Sequence, residues 1–328
     1  MKSTLVGIIY LFISIHFVSC AKTDEQEVRS AIKEARYYLT NLECQDAQDI
    51  LDDVGEQKDN ADYVSVYASS IACKSGYTDM GTAINNLTNI DTTGGGASLL
   101  GSFAAFISSN ETTADAVTYS KIVESINYIL NADGGTQPST TARLAKYGKN
   151  DGNDLSMQAI LMITVAMGKY FAFYGNTDSL GVKGAGSIVG GDRCIGFYPF
   201  DAQVDTSLGA SPLKGCDSAN AGHADLNFGT VASSTVYRRM CEGIVLFNNL
   251  FEILSNIDLS SNTSLGNVGQ VATTINSLFS AAQIVEASLP WGGTAVSTLK
   301  SITSQSVCEA QSAADIQRYY VLIFETNL

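Results

Sequence analysis

Cys44, Cys73, Cys194, Cys216, Cys241 and Cys308 form, once Cys20 is set aside, an even set that can close three disulfides in an oxidising compartment. No two stand two or three residues apart, so the spacing suits neither a zinc ribbon nor a thioredoxin-type redox pair, and no metal site is expected. Beyond residue 20, histidine chemistry rests on His223 alone, and no G-x-S-x-G elbow accompanies it, which points to a solvated loop histidine. Ser297-Thr298-Leu299-Lys300 satisfies S-x-x-K, the spacing that sets an amine one helical turn from a hydroxyl. The lysine-threonine-glycine and serine-aspartate-asparagine elements that such a pair works with are missing, so no catalytic residue, cofactor or metal ligand is assigned. Gly94-Gly95-Gly96 lacks the G-K-[ST] continuation of a phosphate loop and reads as a linker.

Two other groups have the composition of interaction surfaces. Ile195-Gly196-Phe197-Tyr198-Pro199-Phe200-Asp201 sets three rings around a proline directly after Cys194. Rings supply contact area at small conformational cost, which makes Phe197, Tyr198 and Phe200 the candidate partner-binding residues; anchoring of the loop onto the body is the alternative. Glu43, Asp46, Asp49, Asp52, Asp53, Glu56, Asp59 and Asp62 place eight of the 33 acids within twenty residues. They do not fit a calcium-loop pattern, and Ala47, Ile50, Leu51 and Val54 fill the opposite face, so a solvated helix face attractive to a cationic partner is expected.

The elements that hold these groups read as helices from Glu25 onward. Val28, Ile32, Ala35, Tyr38 and Leu39 fall at three- and four-residue steps, as do Ala47 to Val54, Tyr63 to Ile71, and Met80, Ile84 and Leu87, giving four short amphipathic helices. Brief breaks favour antiparallel neighbours, which sets Cys44, at the start of the second helix, beside Cys73, at the end of the third. Tyr67 to Tyr77, followed by Ala83 and Leu87, resembles a tetratricopeptide repeat: small residues sit where paired helices approach, and Gly76 sits where the first helix ends. After the break at Asp91 to Gly96, helices are expected over 99–107, 113–130, 140–147, 155–174, 231–257, 268–285 and 313–324. The run Ala159 to Gly168 is apolar enough for a membrane span, but Gln158 and Lys169 interrupt it and favour a core helix buried on all sides. Asn150 to Asp154 read as a turn capping that helix. Residues 175–229 lack a period and form a long loop limited by Cys194 and Cys216, while Cys241 and Cys308 would tie the C-terminal helix to the body. The fold class is therefore all-α: helical hairpins in a TPR-like solenoid or bundle with a long disulfide-limited loop.

At the N-terminus, Lys2 and the apolar stretch Leu5 to Val18 have the form of an export signal, giving way at Phe17-Val18-Ser19-Cys20 to the polar Ala21-Lys22-Thr23-Asp24-Glu25. That tetrapeptide resembles the lipobox of bacterial lipoproteins. The resemblance implies removal of residues 1–19, acylation of Cys20, a lipidated tether over 20–25, and permanent attachment of an otherwise soluble body to a membrane. With no aspartate after the cysteine, it further implies an outer-membrane location facing the periplasm. The domain reading that follows is signal peptide 1–19, tether 20–25, TPR-like hairpins 26–90, and a helical domain 91–328 carrying the irregular loop 175–229.

Composition narrows the function. The chain has 328 residues, 45% hydrophobic, and 19 basic against 33 acidic side chains for a formal charge of -14. That balance excludes the basic footprint of a nucleic-acid binder and supplies ample material for a packed core. The expectation is a non-catalytic cell-envelope lipoprotein that binds a protein partner as an assembly scaffold. A solute-handling lipoprotein is the alternative, cradling a small-molecule ligand and similar in architecture to the T component of TRAP transporters. An envelope serine hydrolase built on Ser297 or His223 comes last.

Overall fold

The computed structural model describes residues 24–77, 96–106, 117–186, 194–199, 204–206, 216, 222–228, 233–257 and 268–327. Among these residues helices carry the fold, and β structure is limited to one isolated parallel bridge between Cys194 and Gly222. The expected all-α class is what forms.

Helices α1 (Asp24–Thr40), α2 (Cys44–Asp53) and α3 (Ala61–Cys73) pack on one another as an N-terminal unit. Their apolar stripes meet in a small core of Val28, Ile32, Ala35, Ala47, Leu51, Tyr63 and Val66. Asn60 caps α3 by accepting the Tyr63 N–H at 3.1 Å, satisfying one of the donors that a helix start leaves without an intrahelical partner. Cys44 and Cys73 are joined, with Cα atoms 5.5 Å apart, as antiparallel α2 and α3 require. The opposite face of α3 sends Val64, Ala68 and Ala72 into the main core, so the unit is continuous with the rest of the body. The fourth helix expected around Met80 to Leu87 lies outside the described residues, as do Cys20 and the leader.

The body comprises α4 (Gly96–Phe106), α5 (Val117–Leu130), α6 (Thr140–Tyr147), α7 (Lys149–Tyr174), α8 (Ser233–Asn256), α9 (Val268–Ser288), α10 (Ala295–Leu299), α11 (Gln305–Glu309) and α12 (Ala313–Tyr319). A π-helical turn, Tyr320–Glu325, continues α12. Helix α7 is the axis: α3, α4, α5, α6 and α8 all pack against it. It is long and apolar enough to cross a membrane, yet 83% of its most apolar stretch is buried inside the protein, which is the environment of a core helix. Gln158 is tolerated there because its Nε2 donates to Ser65 O at 3.0 Å and Ser69 Oγ at 2.9 Å.

One expectation at a helix end needs correction. Asn150 to Asp154 are not a turn but the first turns of α7, which starts at Lys149. Gly148 alone makes the break, at φ 82, and Asp151 then lies where the helix dipole favours a carboxylate. The C-terminal helix is α-helical only to Tyr319; the following π turn buries all six of its residues. Cys241 of α8 bridges to Cys308 of α11, closing the tie expected between body and C-terminus.

Candidate binding site

The loop proposed for partner contact is pinned from inside. Cys194 and Cys216 are bonded, and Tyr198 N donates to Cys216 O at 2.9 Å. Glu325, at the end of the π turn and buried, accepts from Lys183 Nζ at 2.5 Å through Oε1 and from Ile195 N at 2.8 Å through Oε2. Lys183 Nζ also donates to the Glu325 carbonyl at 2.6 Å. Gln317 Nε2 holds Phe197 O at 3.2 Å.

Tyr198 is completely buried, and burial next to Glu325 drives its hydroxyl pKa well above the ordinary value. As a partner-binding residue Tyr198 is therefore corrected: it anchors the loop to the body. Phe197 is half-buried, and Phe200 lies outside the described residues. The two loop sulfurs and the Glu325 carboxylate come within 4.8 Å of one another, but the sulfurs are spent on their own bond and the carboxylate on Lys183, so the trio is a staple.

The other chemical candidates are also engaged. His223 is half-buried, its ring 4.7 Å from Phe173 and 4.9 Å from Tyr174, with Nδ1 accepting the Asp225 N–H at 3.2 Å. Ser297 is exposed and donates to Thr294 O at 2.9 Å, and Lys300 caps the five-residue helix α10. All eight acids of the N-terminal run are exposed. Asp62 pairs with Arg36 at 2.6 Å, Asp59 with Lys146 at 2.9 Å and Glu56 with Lys58 at 2.9 Å.

A buried tyrosine and glutamate cluster had no sequence assignment. Tyr170 of α7 and Tyr320 of the π turn meet at 2.5 Å between hydroxyls, over Arg239 O and Met240 O of α8. Glu242 sits beside them with Tyr119 and Arg239; desolvation by burial raises its carboxyl pKa, opposed by Tyr119 and Arg239. Tyr170 and Tyr174 four apart on α7 were the available signal, hidden by the apolar run around them.

A cavity of about 260 Å³, half open to solvent, lies between the end of α1, α3 and α7. Leu39, Leu42, Ala72, Cys73, Tyr77 and Met162 give it an apolar wall. Thr40 and Ser69 also line it, and their hydroxyls donate to Arg36 O and Ser65 O, each at 2.9 Å.

The rim comes from an uncommon helix ending. Leu42 N donates to Leu39 O at 3.1 Å and Glu43 N to Tyr38 O at 2.9 Å, which is the Schellman pattern. Its left-handed position, ordinarily glycine, is held by Leu42 at φ 61. Leu42 is 61% exposed. No family model, no curated protein and no solved structure matches the chain.

Proposed function

We propose that this chain is a bacterial cell-envelope lipoprotein, tethered through Cys20 at the outer membrane facing the periplasm, which acts as a non-catalytic protein-binding or assembly scaffold. The observation that carries the reading is the cysteine pairing. All six cysteines after residue 20 bond to one another, an arrangement suited to an oxidising compartment, and Cys20 at the end of the apolar leader is left for acylation. The cavity at the end of α1, about 260 Å³, has room for a single large side chain of a partner.

The test is affinity capture of the native protein from crosslinked envelopes, identifying co-purifying proteins and extractable small molecules by mass spectrometry. A reproducible protein partner is expected. A stoichiometric bound small molecule with no protein partner would overturn the scaffold reading.

A further inference from the structure

We propose that the cavity at the α1–α2 turn is a docking socket for a cationic segment of a partner protein that inserts one large apolar side chain. The inference rests on the scaffold reading and names the chemistry of the partner. The cavity wall and its lip are apolar. Leucine in a left-handed helix ending costs stability that glycine would not, and a side chain left 61% exposed gains little burial in return. Leu42 therefore spends stability to place an apolar group at the mouth.

The charge half is the N-terminal unit, whose α1 end and α3 end supply most of the wall. Residues 24–77 hold twelve acids and five bases, so this sixth of the chain carries half of the net -14. Three of those bases are already paired, Arg29 with Glu25, Arg36 with Asp62 and Lys58 with Glu56, which leaves Lys33 and Lys74, the latter next to the lining residue Cys73, against the remaining acids. Glu34, Glu43 and Asp46 cluster around Tyr38 on the helix that leads to the mouth, and among the described residues no ion pair engages them. An approaching segment thus meets an apolar hole inside a negative field, which selects lysine or arginine flanking a leucine- or phenylalanine-sized side chain. A neutral apolar ligand would gain nothing from the field, and an acidic one would be repelled.

The experiment uses the full mature chain in zwitterionic detergent, with its methionine methyls labelled for NMR. The probes are lysine-rich nonapeptides whose central residue is Phe, Leu, Ala or Glu, and glutamate-rich peptides with the same centres. The expected result is saturable movement of the Met162 methyl by the lysine-rich Phe and Leu peptides. Their affinity should be at least about tenfold above that of the Ala and Glu centres and fall steeply with salt.

Leu42→Gly keeps the fold, since glycine is the ordinary residue there, and should weaken binding about tenfold while raising the unfolding midpoint. The proposal is overturned if Met162 does not move, if the central residue makes no difference, if the glutamate-rich peptides bind equally, or if Leu42→Gly binds as well as the parent. Concentration-dependent self-association that Leu42→Gly abolishes would assign the socket to a second copy and overturn it as well. A crosslinked protein partner retained by Leu42→Gly would discard the socket and leave the scaffold reading standing.

Discussion

Gly243→Ala tests the packing at the centre of the body, because it sets two opposing effects against each other. A Cβ at Gly243 would stand 2.5 Å from the Tyr320 hydroxyl and 2.9 Å from Cε1 and Cζ of Tyr170. Both rings are fully buried, and they are tied to each other and to the carbonyls of Arg239 and Met240, so neither has room to swing aside. Overpacking of this kind costs about 1–3 kcal/mol, and displacing the Tyr320 hydroxyl from Met240 O costs about 1 kcal/mol more. Alanine in place of glycine inside a helix returns about 1 kcal/mol. The net expectation is a loss of about 2 kcal/mol, or roughly 1 M in urea midpoint for a slope near 2 kcal/mol/M. Urea unfolding followed by circular dichroism reads it directly. In a Tyr320→Phe background the closest atom is gone, and the cost of Gly243→Ala should shrink by about 1 kcal/mol. A Gly243→Ala protein as stable as the parent, or more stable, would refute the packing argument, since propensity alone would then account for the result.

Three further outcomes follow from the same contacts. Replacing Cys241 and Cys308 together by Ala opens a 67-residue loop and should cost about 4 kcal/mol by chain entropy, read as a midpoint shift in non-reducing urea unfolding; an unchanged midpoint would count against the bond. Glu325→Ala leaves the largely buried Lys183 with no opposite charge and releases the Ile195 N–H, so a loss of about 3–5 kcal/mol in urea unfolding is expected, whereas an unchanged midpoint would contradict the staple. Glu242 has a folded-state pKa raised above its ordinary 4.5, mainly by burial, so the folded state holds the proton longer than the unfolded chain does. Its contribution is then present below about pH 4.5 and lost as pH rises through the folded pKa; Glu242→Gln should remove that part of the pH slope, and an unaltered slope would locate the titration elsewhere.

Much of the architecture was legible because helical periodicity is a local property. The spacing of Val28, Ile32 and Ala35, of Ala47 and Leu51, and of Tyr63 and Val66 fixed three helices, and their antiparallel order was enough to pair Cys44 with Cys73. Gln158 and Lys169 marked the apolar run of α7 as core, and the protein around it satisfies Gln158 as that assignment requires. What escaped depends on contacts between distant residues. Tyr198 looks like a recognition ring in sequence, but Glu325, far along the chain, turns the segment inward. The start of α7 was missed because Asn150 to Asp154 are turn formers, and a single glycine at 148 performs the break they seemed to provide. The cavity had no sequence signal at all, since Leu42, Met162 and Tyr77 meet only once α1, α3 and α7 have packed. Gly76 and the small residues of α3 hinted at close helix approach, not at the gap left beside it.

The central claim is a body held at a membrane through Cys20, and the measurement closest to it is the intact mass of the protein isolated from its native membranes. The expected result is a chain that begins at Cys20 and carries a diacylglycerol-sized addition, with Cys20→Ser releasing the protein from the membrane fraction. A chain beginning at residue 20 or later with no lipid mass, or a Cys20→Ser protein that stays equally membrane-bound, would contradict it.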